Sequence, residues 1–258
     1  MENQVATHTT TESKFKFPTE TIDLPSKGLL YPEGNPLSSG KVEMKYMTAR
    51  EEDILTNQSY ISKGTVLDEL LKSLIISPIN YNDLLNGDKN ALLVASRVLG
   101  YGKDYKFSYG GEEHTVDLSL IEAKPLDENK FNKGKNEFFF TLPHSKTQVS
   151  FKLLTHGDEK KIDREIAGLK KINKNAPELT TRLKYTITSV DGSYEHKDIR
   201  DFVDNYLLAR DSRALREEIR NTQPDIDLTF FPEGSNEEVS IPIGLNFFWP
   251  DFWSHTYL

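Results

Sequence analysis

The feature that most constrains this chain is a unit of fourteen residues that occurs twice. It reads VEMKYMTAREEDIL at residues 42–55 and VSFKLLTHGDEKKI at residues 149–162. A shift of 107 positions superimposes Thr48 on Thr155 and also aligns the acidic residues that follow. Apolar residues alternate before each threonine, which is the pattern of a strand with one buried face. The sequence therefore predicts an internal duplication.

Each copy of the unit also predicts where a helix begins. Thr48 followed by Glu51 forms a capping box, in which the hydroxyl and the carboxylate satisfy helix-terminal N–H groups that otherwise lack partners. Thr155 followed by Asp158 is a weaker version of the same signal. Capping boxes are common structural devices, so the motif predicts a fold and no chemistry.

Composition excludes several classes of function. The formal net charge of −8 over 258 residues disfavours a general nucleic-acid-binding surface, because nonspecific affinity for nucleic acids comes from Lys and Arg. The chain has no cysteine, so it has no disulfide, thiol nucleophile or thiolate metal ligand. It has no signal-peptide pattern and no apolar stretch of the roughly 20 residues that cross a membrane. We expect a soluble intracellular protein that binds neither nucleic acid nor membrane.

The expected fold class is α+β, with two similar lobes produced by the duplication. Each lobe would contain a strand, capped helices and a terminal β-hairpin. The predicted organisation is an extended N-terminal arm and docking loop at residues 1–40, a first lobe at 41–122, a linker at 123–136 and a second lobe with an aromatic tail at 137–258. The linker is placed where the chain is charged, rich in turn-forming residues and poor in apolar ones.

Further helices and two hairpins complete the predicted lobes. Asp88 and Asp211 each precede an apolar-periodic run and are predicted to be helix N-caps. A β-hairpin is expected at residues 105–118, with a Gly-Gly pair near its turn. A second hairpin is expected near the C-terminus, and a shift of 123 positions aligns it with the first by placing Phe107 on Phe230. This shift exceeds the shift of 107 at the helix start, so the second lobe would carry an insertion of about 16 residues between its helix start and its hairpin, and loops tolerate such insertions.

Two apolar segments are candidate docking surfaces. Residues 24–37, LPSKGLLYPEGNPL, hold three prolines and two glycines, which excludes an ordinary helix or strand. This segment is either an irregular packing segment or a loop that docks on another protein, and it lacks the residue order of a phosphate-binding loop. The C-terminal aromatic run is either core packing or an anchor for partners. The residues predicted to bind partners are Leu24, Leu29, Tyr31, Phe247, Trp249, Phe252 and Trp253.

No constellation of residues predicts catalysis. The six histidines show no HExxH or comparable metal-ligand spacing, and no GxSxG nucleophile elbow occurs. His114 lies in the first predicted hairpin without other ligands beside it in the sequence, which is typical of an exposed strand residue. We therefore predict that the protein is not an enzyme and has no catalytic residue, metal site, cofactor or small-molecule substrate.

Several motifs, taken in order, resemble one known family. They are LPSKGLLYPEG at 24–34, EMKYMTAREEDIL at 43–55, KGTVLDELLKSLI at 63–75, GDKNALLVASRVLGYGKDY at 87–105, ARDSRALREEI at 209–219, PDIDL at 224–228 and FFWP at 247–250. Together they resemble the baseplate hub subunits and hub-assembly proteins of contractile-tailed bacteriophages of the T-even type. Members of that family often carry paired cysteines in the two hairpins, as in a zinc ribbon. This chain has none at 108–111 or 231–234, so the resemblance implies no metal here.

The resemblance implies a non-enzymatic role in the structure or assembly of the baseplate hub, through contacts with other hub or tail proteins. It implies a location in the host cytoplasm during assembly and in the tail baseplate of the virion. Two alternatives stay open. One is a transient tail-assembly chaperone that is absent from the mature virion, and the other is a cell-wall hydrolase carried on the tail.

Overall fold

The computed structural model describes residues 17–172, 176–232 and 237–248. Within these residues the fold is mixed α and β, as predicted, and the sheets are small and antiparallel. The elements of the first half are β1 (Thr19–Asp23), β2 (Lys41–Lys45), α1 (Ala49–Leu55), α2 (Gln58–Ser62), α3 (Val66–Leu74), α4 (Asn86–Tyr101), β3 (Asp104–Tyr109) and β4 (Glu112–Asp117). Those of the second half are β5 (Phe138–Thr141), β6 (Gln148–Phe151), α5 (His156–Ile172), α6 (Glu178–Thr186), β7 (Ile187–Val190), α7 (His196–Asp201), α8 (Ala209–Thr222), β8 (Thr229–Phe230) and β9 (Val239–Ser240).

β1 and β2 form an antiparallel pair that covers the core with one face. Val42 and Met44 of β2 are fully buried, whereas Glu43 between them is exposed, which is the alternation of a half-buried strand. The helix start predicted after β2 is confirmed. The Glu51 carboxylate accepts hydrogen bonds from both the hydroxyl and the N–H of Thr48, directly before α1.

The second half has the same arrangement at the start of its own helix. The Thr155 hydroxyl donates to the Asp158 carboxylate at the beginning of α5. In both halves a lysine near the end of the preceding strand forms an ion pair with the acidic residue of the helix start. The Lys45–Glu51 distance is 2.8 Å, and the Lys152–Asp158 distance is 2.7 Å.

In both halves the strand before the capped helix also pairs with a residue that follows a later helix. Ile75, directly after α3, bridges to Met44 of β2, and Ile187, directly after α6, pairs with Phe151 of β6. The shift of 107 positions places Met44 on Phe151. These shared contacts support the duplication, which remains a prediction.

Asp88 and Asp211 are not the helix N-caps that the sequence predicted. The caps of α4 and α8 are Leu85 and Leu208, three positions earlier in each case. Both aspartates lie in the first helical turn and are buried. A buried carboxylate needs hydrogen-bond donors, and these come from a loop distant in sequence.

The loop that each aspartate holds follows the first strand of its half. The Asp88 carboxylate accepts the N–H of Ser26 at 2.9 Å. The Asp211 carboxylate accepts the N–H groups of His144 at 2.8 Å and Ser145 at 2.9 Å. In both halves, therefore, one carboxylate fixes the loop after the first strand onto the last long helix.

These two loops also share an unusual backbone conformation. Lys27 and Lys146 have left-handed φ angles of 51° and 63°. Each lysine directly follows a residue whose N–H is bound by the aspartate. Non-glycine residues rarely adopt this conformation, so its occurrence in both loops is further support for a repeated unit.

The strand pairs of both predicted hairpins are present among the described residues, but their register corrects the predicted alignment. Val116 of β4 pairs with Tyr105, eleven positions earlier, and Val239 of β9 pairs with Phe230, nine positions earlier. Tyr105 therefore occupies the position of Phe230, because the second hairpin is two residues shorter between the paired positions. The Phe107 ring instead contacts the Phe230 ring, with 5.3 Å between centroids, and so joins the two hairpins.

The buried apolar residues of both halves form one continuous core. The segment predicted as a linker bonds to both halves. The N–H of Lys124 donates to the carbonyl of Asp225 at 2.8 Å, and the N–H of Gly134 donates to the carbonyl of Leu29 at 2.7 Å. Within the described residues, the two halves are thus packed against each other.

Candidate protein-docking groove

A groove of about 940 Å³ runs between β1 and α4. One wall is β1 with the loop that follows it, and the other is formed by the chain after β4 and before β8. The apolar side chains of the walls are Ile22, Leu24, Leu118, Ile121 and Ile226. A concave surface lined mainly by apolar side chains is the usual form of a binding site.

The floor of the groove is one apolar face of α4. Five residues at helical spacing form it: Ala91, Val94, Ala95, Val98 and Leu99. The shift of 123 positions that superimposes Asp88 on Asp211 takes these five to Ala214, Glu217, Glu218, Asn221 and Thr222 of α8. The corresponding face of α8 is thus mostly polar. The apolar floor is a property of α4, and the arrangement shared by the two halves does not require it.

β1, which borders the groove, has one edge that does not pair with β2. The N–H of Leu24 donates to Gly40, and the carbonyl of Pro18 accepts from Tyr46, so the even-numbered residues of β1 bond to β2. In an antiparallel pair the alternate residues direct their N–H and C=O groups to the other side. Among the described residues, β1 pairs with β2 alone. Its outer edge can therefore accept a further strand.

Charged residues occupy the rim of the groove. Lys41 pairs with Asp23 at 2.9 Å, and Lys27 pairs with Glu128 at 2.6 Å. All four side chains are more than half exposed, so these pairs contribute little to stability. An apolar centre with a polar, solvent-accessible rim is the anatomy of a protein–protein interface.

The structure places the predicted docking residues at different depths. Leu24, Tyr31 and Phe247 are 3%, 5% and 1% exposed, so all three are core residues, and the docking prediction is corrected for Tyr31 and Phe247. Leu24 still contributes to a wall of the groove from its buried position. Leu29 is half-buried. The other three, Trp249, Phe252 and Trp253, lie outside the described residues.

Tyr31 is buried because its hydroxyl completes a hydrogen-bond network. It donates to the Asp88 carboxylate at 2.5 Å and accepts the N–H of Leu85 at 3.0 Å. Burial, followed by the proximity of Asp88, raises the pKa of Tyr31 far above its ordinary value, so it remains a donor. The proline- and glycine-rich loop is therefore a packing segment at this residue.

The pKa values of the two buried aspartates are shifted in opposite directions. Burial raises the pKa of Asp88, and its hydrogen bonds from Tyr31 and Ser26 only partly offset this effect. Burial also raises the pKa of Asp211, but the N–H groups of His144 and Ser145 outweigh it and bring the pKa below its ordinary value. Both side chains are engaged with loops of this chain, which is a structural role.

A buried arginine holds the last described segment, and sequence reasoning missed it. The Arg97 guanidinium donates to the carbonyls of Phe247 at 3.0 Å, Gly102 at 2.9 Å and Asp104 at 3.2 Å. It thereby joins the start of the C-terminal aromatic run to the base of the first hairpin. The one available signal was an arginine inside the apolar run LLVASRVLG.

A polar cluster joins the two halves elsewhere. Lys89 and Tyr81 donate to the Asp68 carboxylate at 2.5 Å and 3.0 Å, and Nε2 of the buried His156 lies 3.6 Å from it. Burial lowers the pKa of His156, which favours the neutral ring. Within the described ranges, no three His, Asp or Glu side chains are placed to hold a metal ion.

No family model, no curated protein and no solved structure matches this chain. Among the helices in the described part of the chain, none combines the length and apolar character needed to cross a bilayer.

Proposed function

We propose that this protein acts without catalysis in the structure or assembly of a contractile phage baseplate hub, through contacts with other hub or tail proteins. The ordered motifs from LPSKGLLYPEG to FFWP support the assignment to the phage tail. The observation that supports the mode of action is the apolar groove beside the outer edge of β1.

The proposed occupant is an extended segment of another hub or tail protein. Its backbone pairs with the outward-facing groups of Thr19, Thr21 and Asp23, which extends the two-stranded sheet. Its alternate side chains lie on the face of α4 around Ala95 and Val98. Strand addition of this kind takes affinity from main-chain hydrogen bonds and specificity from the side-chain pockets.

The test replaces two apolar residues in the floor of the groove with the polar residues found at the corresponding positions of α8. Ala95→Glu combined with Val98→Asn gives α4 the residues of Glu218 and Asn221. Both positions are half-buried, so the variant is expected to fold, which is checked by its circular dichroism and melting curve. Leu179→Glu, at an exposed position of α6, is the matched control.

We expect the groove variant to lose co-purification with hub and tail proteins from infected cells and to fail to support baseplate formation. The control variant should retain both. A folded groove variant that co-purifies normally and supports baseplates would contradict the proposed mode of action.

A permanent subunit and a transient assembly chaperone would use the same groove. Mass spectrometry of purified virions distinguishes them, because only a subunit is present in the finished particle. Incubation of the purified protein with peptidoglycan tests the hydrolase alternative. Turnover that a single acidic substitution abolishes would overturn the non-enzymatic proposal.

A further inference from the structure

The two halves of this chain meet through one defined contact. Thr155, directly before α5, forms an antiparallel bridge with Leu85, and the N–H of His156 donates to the carbonyl of Leu84 at 2.8 Å. The His156 ring also contacts the Tyr81 ring edge-on, with 4.7 Å between centroids. Leu84 and Leu85 are buried as a result. A helix start in one half thus docks on two extended leucines in the other.

The receiving leucines occur a second time. The shift of 123 positions that superimposes the buried aspartates takes Leu84 and Leu85 to Leu207 and Leu208, directly before α8. The backbones agree. The φ and ψ angles are −57° and 127° at Leu84 against −70° and 106° at Leu207, and −68° and 149° at Leu85 against −62° and 142° at Leu208.

The second leucine of this pair is exposed, whereas Leu207 is half-buried against the core. Leu208 is 51% exposed, whereas Leu85 is 3% exposed, and the neighbouring Tyr206 is 64% exposed. Among the described residues, no backbone N–H donates to the carbonyl of Leu207, which is the counterpart of the Leu84 carbonyl. The chain therefore presents an apolar docking surface, Tyr206 to Leu208, which includes a main-chain carbonyl, that of Leu207, to which no backbone N–H of the described residues donates.

The inserting helix start also occurs a second time. The shift of 107 positions takes Thr155, His156 and Gly157 to residues 48–50, where Ala49 and Arg50 are exposed at the beginning of α1. The N–H of Ala49 is one of the helix-terminal groups that have no partner within the helix. One chain thus carries both members of a contact that its two halves have already made once.

Charge favours binding of the second helix start, residues 48–50, to the second leucine surface, Tyr206 to Leu208. Arg50 occupies the place of Gly157, whose close neighbour is Asn82, and the shift of 123 takes Asn82 to Asn205, directly after the acidic Asp204, so Arg50 brings a positive charge next to an acidic residue when it faces the leucine surface of another chain. Asp204 is exposed and pairs with Lys184 at 2.7 Å. Gly157 lies close to Asn82, where a Cβ would be 3.0 Å from its carbonyl oxygen, so a side chain there requires the backbones to separate by a few tenths of an ångström.

We propose that a second copy of this chain docks its helix start, residues 48–50, on the Tyr206–Leu208 surface. The contact repeats between chains the one that joins the halves within a chain. Because the two surfaces differ, the association is head-to-tail, and it produces a ring if the rotation closes or an open chain if it does not. This inference does not rest on the proposed function, since neither surface includes the groove.

The test measures the mass of the full chain by sedimentation velocity over a concentration series. We expect the wild-type chain to self-associate. Leu208→Asp removes the receiving surface and Arg50→Glu reverses the charge of the inserting one, and each should weaken association on the order of tenfold or more. Leu120→Asp, at a leucine that is 75% exposed elsewhere, is the matched control and should associate like the wild type.

A mixture of the two variants gives the sharper result. The Arg50→Glu chain retains a receiving surface and the Leu208→Asp chain retains an inserting one, so their mixture should form a complex of two chains and stop there. A wild-type chain that stays monomeric at its highest attainable concentration would overturn the proposal. So would association that neither variant weakens, or a mixture that forms no such complex.

Discussion

A hydrogen bond of 2.5 Å joins the Tyr31 hydroxyl to the Asp88 carboxylate, although 57 positions separate the two residues in the chain. Asp88 also holds Ser26 of the same loop. The loop after β1 is therefore attached to the first turn of α4 by side chains that are all buried. Because this loop continues a wall of the groove, the shape of the wall depends on the attachment.

Tyr31→Phe should destabilise the fold. The change removes one of the donors to Asp88, which keeps those of Ser26, and it leaves the buried N–H of Leu85 without its acceptor, at a cost of about 1–3 kcal/mol. Urea unfolding measures the loss as a lower midpoint with an unchanged slope. Tyr194→Phe, at a tyrosine that is exposed, is the control. Equal stability of the two variants would contradict the prediction.

Glu51→Gln should destabilise the fold at neutral pH and have little effect in acid. Burial raises the pKa of Glu51, but hydrogen bonds from Lys45, Thr48 and Ser73 outweigh it and lower the pKa from 4.5 to about 2. The ionised form is therefore favoured by folding, and its contribution is present above pH 4.5 and lost as the pH falls toward 2. The shift corresponds to about 3 kcal/mol.

Denaturant unfolding of the wild type and of Glu51→Gln at a series of pH values checks this. The difference in unfolding free energy should shrink as the solution is acidified. Glu43→Gln, at an exposed position of β2, serves as the control and should show no such trend. A difference that stays constant with pH would count against the assigned charge state.

Stability should fall on mild acidification because of His156. Burial lowers the pKa of His156 below its ordinary value of 6.5; Asp68 opposes this shift, and Lys89, Lys160 and Lys72 add to it. The unfolded chain then binds more protons at His156 than the folded chain does, so this contribution is present above pH 6.5 and is lost as the pH falls below it.

The matching experiment compares the wild type with His156→Gln between about pH 7.5 and about pH 5.5, on either side of the ordinary histidine pKa. The variant should lose less stability than the wild type over this interval. His196→Gln, at an exposed histidine of α7, should follow the wild type. Parallel curves for all three proteins would refute the role of His156.

Two glycines in helices should respond in opposite directions to alanine. A Cβ at Gly87, in α4, would lie 1.8 Å from the carbonyl oxygen of Pro224, so Gly87→Ala forces the two segments apart. At Gly168, in α5, nothing lies within 4 Å, and alanine should stabilise the helix by roughly 0.5–1 kcal/mol. Thermal unfolding decides, and a tolerated Gly87→Ala would contradict the close approach of α4 to Pro224.

Local signals predicted the local structure. The capping box at Thr48 and Glu51 predicted the start of α1, and the Gly-Gly turn predicted the first hairpin, because each depends on residues within a few positions of one another. The structure confirms both. The mixed α+β fold class followed from the order of such elements.

Contacts between distant segments were not predictable in the same way. Asp88 and Asp211 match the preference of an N-cap, and no rule for helix ends includes a loop more than 60 positions away in sequence. Tyr31 was assigned to a docking surface for the same reason, since its partner Asp88 is not a neighbour in sequence. The apolar face of α4 could have indicated the floor of the groove. The walls could not be predicted, because they come from segments that are distant from α4 in sequence.

The open edge of β1 has a consequence for the isolated protein. A strand with unpaired main-chain groups above an apolar floor is a template for aggregation, and proteins commonly protect such edges with charged side chains. Glu20 and Asp23 of β1 are exposed, as is Lys41, which lies opposite Asp23 on β2. Removal of these charges should strengthen strand addition and, by the same physics, make the purified chain precipitate more readily.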